Sequence, residues 1–358
     1  MSLARTLMNG GYVGNLGSIN PARYGHEQGA SVIAMESIEE LHEIFLESYN
    51  YEQADLAAAT EGVALEGSQY EAVAEAAVKG MFAKIKEFFV KMWNKVKAFF
   101  HSVKRYIDSL VMSGKDFVKK YGKEIQKLDN IKDLTVKMFE YDDDYINDIP
   151  DFNMDSEVAD QVSDVQKYID KAETLTKDQN LDTKNSGKTI SELEAKIAEY
   201  RADNVDDTII SDGTDGKCKS ADDYSEFLFG LFRNGAKNSD DKEDRDLTKS
   251  DIEKFVSALE KSDSKGVSKY ASNADKMYTK AINLVDKAEK KYSNASGSVA
   301  SKTAELLRAF SSYVSKAQTY NNQLMNAWKS AMAERDSAYK SAIMAAFSNN
   351  NKNNKKKN

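Results

Sequence analysis

The sequence predicts an all-α protein: an elongated bundle of long amphipathic helices, with acidic loops and disordered termini. Three observations carry that expectation. The 358 residues include only two prolines, Pro21 and Pro150, so little in the chain interrupts a helix. Hydrophobic residues are 41% and charged residues 30%, a balance that suits long, surface-rich helices better than one thick globular core. Apolar residues also recur at steps of three and four over several long stretches.

Residues 1–33 are rich in Gly and Asn, with turn signals at Asn9-Gly10-Gly11 and Pro21, and read as irregular. A helix is predicted over about 36–56, where Ser37 caps and Glu40 completes a capping box. Ile38, Leu41, Ile44, Phe45 and Tyr49 fall on one face of it. The result is an acidic amphipathic helix suited to docking on a partner or on the parent fold.

From Gly67 to about residue 140 the sign of the charge changes. Ile85, Phe89, Met92, Val96, Phe99, Val103, Tyr106 and Leu110 repeat at alternating steps of four and three. Phe82, Phe88, Trp93, Phe100 and Ile107 widen that stripe. Between Lys79 and Lys132 there are 14 basic and 5 acidic residues, which predicts a basic helix pair broken near Ser113-Gly114. Three readings stay open for residues 81–111: a core-facing helix, a surface for nucleic acid or an acidic partner, and a helix lying on a membrane. Lys84, Lys91, Lys95, Lys97, Lys104 and Arg105 are the candidate contacts to DNA or an acidic surface.

Residues 141–246 form a region of acidic loops and helices. The run 141–164 holds nine acidic residues and no basic one, beginning as a loop around Pro150 and able to fold back on the basic segment. Helices are expected over 156–175 and 189–202. The stretches 203–220 and 238–251 fail the calcium-loop pattern in every register and read as solvated loops without metal. Thr248 or Ser250 starts the next helix, opening a C-terminal helical region over 247–347.

Within that region, 268–292 and 298–347 are amphipathic. Ala300, Leu307, Val314, Asn321 and Trp328 fit one coiled-coil seam position, and Phe310, Ala317, Leu324 and Ala331 the other. The small residues suit close packing within the bundle or between subunits of a homo-oligomer. Residues 348–358 are predicted to be a disordered basic tail, in which Lys355, Lys356 and Lys357 offer weak, non-specific phosphate contacts.

Composition excludes several classes of chemistry. The single cysteine, Cys218, permits no internal disulfide, and His26, His42 and His101 are scattered. No phosphate-binding glycine loop, nucleophile elbow or zinc-protease motif is present, so neither catalysis nor a cofactor is expected. The N-terminus lacks the apolar stretch of a secretory signal, and no run of about 18 apolar residues predicts a membrane span. Synthesis in a cytoplasm is expected.

The charge distribution is the most informative feature. Residues 1–66 contain two basic residues, Arg5 and Arg23, and ten acidic ones. Their sum, −8, equals that of the whole chain, so everything from Gly67 onward is neutral. The boundary coincides with a near-duplication: Ala59-Thr60-Glu61-Gly62 and then Ala64-Leu65-Glu66-Gly67. The pattern Ser/Ala-x-Glu ends at Glu36, Glu39, Glu61, Glu66 and Glu260, so four of its five occurrences lie in the leader. Ala34-Met35-Glu36 is one of them, and Glu36, Glu61 and Glu66 are each followed by Ser or Gly.

An acidic leader ending in small residue-x-Glu before Gly, ahead of a lysine-rich helical body, resembles the internal head and prohead-core proteins of large tailed bacteriophages. In T-even-like phages such proteins carry a capsid-targeting peptide that the maturation protease removes after a Glu. In phiKZ-like phages the head protease prefers Ser/Ala-x-Glu. The resemblance covers residues 34–70 by motif and the remainder by composition. It implies a protein made in the host cytoplasm and packaged in the head interior, with cleavage after Glu66 or, second, Glu61. The implied partners are the prohead protease, capsid or core/scaffold subunits and, non-specifically, packaged DNA. Three alternatives stand beside it: a scaffold protein degraded during maturation, a peripheral membrane-active protein working through 81–111, and a cytoplasmic helical adaptor that is never processed.

Overall fold

The computed structural model describes residues 68–126, 134–152, 154–177, 183–261, 263–292 and 298–355. The leader helix expected at 36–56 lies outside them. Among the described residues the chain forms nine α-helices and one two-stranded ribbon. In order these are α1 (Ser68–Gln126), β1 (Thr135–Met138), α2 (Asp143–Asn147), α3 (Met154–Lys177), α4 (Thr183–Tyr200) and α5 (Val205–Gly213). There follow α6 (Tyr224–Phe232), β2 (Glu243–Asp246), α7 (Lys249–Lys261), α8 (Lys265–Tyr292) and α9 (Ser298–Lys355). The predicted all-α class holds.

Local sequence explains where several helices start. Thr248, not Ser250, caps α7: its Oγ1 accepts from Asp251 N at 3.2 Å, while Thr248 N donates to the Asp251 carboxylate at 2.8 Å. Part of the acidic run expected as loop is instead the short helix α2. Asp142 caps it, accepting from Asp144 N and Tyr145 N, and Asp143 and Asp144 lie in its first turn, where the helix dipole favours negative charge. The carboxylates of that run pair with α8 and α4, through Asp151 with Lys269 and Asp164 with Lys196.

Four helices form a ring in which α1 contacts α8 and α9, and α3 also contacts both. Their directions follow from the contacts. Phe82 meets Tyr292 and Trp93 meets Tyr278, so α8 runs antiparallel to α1. Phe89 meets Phe310, Lys329 lies over Tyr106, and Tyr121 meets Phe347, so α9 runs parallel to α1. The Tyr270 and Tyr292 hydroxyls donate to Phe152 O and Ile169 O, fixing α3 parallel to α8. As a fifth helix, α4 pairs with α3 through Lys171–Glu192 and Lys196–Asp164, and leans on α9 through Arg201–Glu305.

The apolar stripe of α1 supplies much of the core. Phe82, Ile85, Phe89, Met92, Val96, Phe99, Phe100, Val103 and Ile107 are all buried, in a cluster shared with α3, α8 and α9. Burying each is worth about 1.5–3 kcal/mol before entropy is charged. All nine predicted seam residues of α9 are buried as well, and the helices covering them belong to the same chain. Burial extends round α9 beyond the two seam positions, to Ala304, Leu306, Ala309, Tyr313 and Met325. A second, smaller core joins the C-terminal halves of α1 and α9 to α7 and β1 through Ile125, Met138, Phe255, Leu259 and Ile343.

The stretch 203–220, read as a solvated loop, is instead helical over Val205–Gly213, with Val205, Ile209 and Ile210 buried. Three further expectations are corrected. The break predicted near Ser113-Gly114 is absent, and α1 runs through it. Gly114 serves a close approach instead: Leu259 Cδ2 of α7 lies 2.9 Å from where a Cβ would stand. The C-terminal helix does not stop at residue 347, since its backbone stays helical to Lys355 where the sequence offers no Gly or Pro to end it. The ribbon was not expected at all. β1 and β2 pair antiparallel, with Thr135 opposite Asp246 and Met138 opposite Glu243. The charged β2 carries no alternating apolar signal.

Gly213, the last residue of α5, is packed more tightly than Gly114, because a Cβ there would lie 2.3 Å from Met154 Cγ and 3.4 Å from Met154 Cα. Gly213→Ala is expected to lower stability by about 1–3 kcal/mol, read as a lower urea midpoint at unchanged slope.

On α9 the adjacent Arg335 and Asp336 are both buried, with Arg335 Nη2 3.4 Å from Asp336 Oδ1 and Lys340 Nζ 3.9 Å from its carboxylate. Burial pushes the Asp336 carboxyl above its ordinary range, and the two cations only partly oppose this. The folded state therefore holds this proton more tightly than the unfolded chain. Its contribution to stability is greatest below the unfolded carboxylate pKa and is lost as pH rises through the folded value. Asp336→Asn should accordingly help more at pH 7 than at pH 4 in denaturation curves. A wild-type advantage that grows toward pH 7 would contradict this.

Candidate functional site

The residues singled out from sequence fall into two groups. Ala34, Glu36, Ala59, Thr60, Glu61, Gly62, Ala64, Leu65, Glu66 and Gly67 lie outside the described residues, which begin at Ser68, the first residue of α1. The fifth match to the cleavage pattern, Ala258-Leu259-Glu260, sits within α7, with Leu259 buried.

The basic candidates on α1 do not form one patch. Lys84, Lys91, Lys97 and Arg105 are exposed, while Lys95 and Lys104 are half-buried. Lys91 pairs with Glu87 at 2.9 Å. Lys104 donates to Asp108 at 2.9 Å, which holds that carboxyl below the usual range. Lys86 reaches across to Asp286 of α8 at 2.6 Å. At the other end of the chain, Lys355 closes α9, and Lys356 and Lys357 lie beyond the described residues.

What the fold brings together is a groove between α1 and α8. One turn-spaced row of α1 contributes Trp93, Lys97, Phe100, His101 and Lys104, and α8 contributes Val267, Ser268 and Ala271. The small side chains of Ser268 and Ala271 stand where bulkier ones would fill the space, leaving an open groove of about 190 Å³. Trp93 forms part of the floor, stacked on Tyr278 at 5.3 Å between centroids. The Lys97 ammonium lies 4.6 Å from the centroid of the Trp93 ring, held by the ring's quadrupole. Apolar floor and cationic rim together suit an apolar side chain flanked by anions.

Sequence reasoning counted Trp93 in the core stripe and set His101 aside as scattered. Neither role is visible from α1 alone, because the gap is created by the small residues of α8. A second cluster was also missed. Arg233 is buried with its guanidinium 4.1 Å from the Phe229 centroid and pairs with Glu334 at 3.1 Å. Lys242 reaches the same carboxylate at 2.6 Å. This cluster ties the end of α6 and the start of the ribbon to α9, which is a structural task.

Among the described residues no helix is long and apolar enough to cross a membrane. No protein-family model matches the sequence, and neither a curated protein nor a solved structure matches the chain.

Proposed function

We propose that this chain is a structural protein of a large tailed bacteriophage, packaged inside the head. An acidic N-terminal leader targets it there and is removed by cleavage after Glu66, or alternatively Glu61. One observation carries the reading: the two Ala-x-Glu-Gly copies mark the end of a segment, residues 1–66, that holds all of the chain's net charge. Cutting after Glu66 thus removes a net −8 and leaves a body with no net charge.

In the prohead the leader addresses the protein to core or scaffold subunits. After cleavage the neutral body is compatible with close-packed DNA, which an acidic protein would repel. The exposed lysines of α1 then supply weak phosphate contacts without sequence preference. The membrane alternative gains no support, since most of the apolar stripe it requires is buried against α8 and α9.

Mass spectrometry of the native N-terminus in mature particles tests the reading. A start at Gly67 or Gly62 is expected, and an intact Met1 or Ser2 terminus would refute it. DNA contact is tested separately with the 67–358 body. The triple substitution Lys84→Gln, Lys91→Gln, Arg105→Gln should weaken duplex binding and flatten its log–log salt slope by up to about 3. An unchanged slope removes α1 from DNA contact.

A further inference from the structure

The outer face of α8 carries a single sign of charge along its whole length. At about 100° per residue, Lys265, Lys269, Lys276, Lys280, Lys287, Lys290 and Lys291 all fall within about 60° of one line along the helix. Ser272, Asn273, Thr279 and Asn283 complete that sector, and no Asp or Glu enters it. We propose that this stripe binds the phosphate backbone of duplex DNA without regard to base sequence.

Packing leaves the charge available. The opposite face, which includes Val267, Tyr270, Ala274, Met277, Tyr278 and Tyr292, is buried against α1 and α3, so the lysine sector points outward. Lys265, Lys269 and Lys291 are each held by a carboxylate, those of Asp263, Asp151 and Asp170. Among the described residues no carboxylate pairs with Lys276, Lys280, Lys287 or Lys290, and all four are exposed. They span about 21 Å of one helix, at 1.5 Å per residue. A face kept only for solubility does not require one sign. The outer sector of α1 mixes Glu87 and Asp116 with its basic residues, and Lys91 there pairs with Glu87.

The chemistry of the stripe selects its partner. The exposed large apolar side chains among the described residues are Val90, Met112 and Met344, none of them on α8, so a protein partner would find no apolar centre to bury. A polyanion needs none, because its affinity comes from counterions released as lysines neutralise phosphates. Ser272, Thr279 and Asn283 are exposed between the lysines and offer uncharged donors to phosphate oxygens. The stripe is also narrow. Asp275 and Asp286 border it on one side, and Asp151 and Asp170 stand on the other. A flat anionic membrane would meet these carboxylates along with the lysines, whereas a cylinder of duplex lying along α8 touches the lysine line alone.

This face is separate from the α1 lysines, and it rests on the head-interior reading only for the source of the DNA.

Fluorescence anisotropy of the full chain with a labelled duplex of arbitrary sequence, over a series of salt concentrations, tests it. Replacing Lys276, Lys280, Lys287 and Lys290 together by Gln should weaken binding and flatten the log–log salt slope by up to about 3.6, at about 0.9 per charge. The same four positions changed to Arg should keep the slope, and an unchanged urea midpoint shows that the Gln variant is folded. Lys188, Lys219, Lys249 and Lys254 are exposed and lie off the stripe, so their joint replacement by Gln controls for total charge. An equal loss in that control overturns the assignment to α8, as does a full chain that binds no duplex at low salt. Vesicles containing phosphatidylserine supply the rival surface. If the α8 substitutions abolish vesicle binding and leave DNA binding unchanged, the partner is a membrane and the proposal fails. The N-terminus of mature particles reports on the leader alone, so DNA binding by α8 and the head-interior reading fail separately.

Discussion

The architecture depends on one constraint, the need to cover a 58-residue helix on nearly all sides from within a single chain. α9 is apolar around most of its circumference between Ala300 and Met332, so no single partner helix can satisfy it. α1, α3 and α4 cover its long faces, and α5, α6 and α2 close the rest. Small residues let these elements approach closely, Ala304, Ala309, Ala317 and Ala331 among them. Trp328 then pins the short α2 by donating from Nε1 to Ile146 O at 3.0 Å. The polar stretch between α6 and β2 is held to α9 through Arg233 and Lys242 on Glu334.

That same helix carries an unusual polar interior. Gln318 and Asn322, both buried, bond to each other at 2.9 Å, while Gln318 Oε1 and Asn322 Nδ2 find no partner. Unsatisfied amides in a core are costly, about 1–3 kcal/mol each, and a pair of leucines would remove that cost. Because the two amides lie four residues apart on α9 itself, their mutual bond is indifferent to the register of α9 against its neighbours.

Helix identity was legible because periodicity is local. The stripe of α1, both seams of α9 and the Thr248 start could be read from spacing alone, and the structure places them as read, with only Tyr106 and Leu110 of the α1 repeat left half-buried. Features that depend on a second element were not legible. Gly114 reads as a helix breaker until Leu259 is seen against it. Glu-Asp-Arg-Asp reads as a solvated loop until Leu134 to Met138 supplies a strand to pair with. The candidate groove belongs to this second kind. Its α1 half is written in the sequence, but the gap exists only because Ser268 and Ala271 face it.

Energetics decide how α1 meets any partner. Working as a membrane helix would require its stripe to leave α8 and α9, exposing nine buried side chains from Phe82 to Ile107. At about 1.5–3 kcal/mol each, the nine together cost about 14–27 kcal/mol, at or beyond the upper end of the 5–15 kcal/mol by which most domains are stable at all. Lipid could repay part of the cost only after the bundle had come apart. A partner that leaves the bundle intact can use only what α1 already presents, which includes the exposed lysines, the groove around Trp93 and the exposed Val90 and Met112. The lysines and the groove are cationic, and the groove adds an apolar floor. An acidic segment with its own apolar face gains from both features, whereas a bare phosphate backbone gains only from the charge. On physical grounds the groove therefore suits an acidic amphipathic partner better than a bare phosphate backbone.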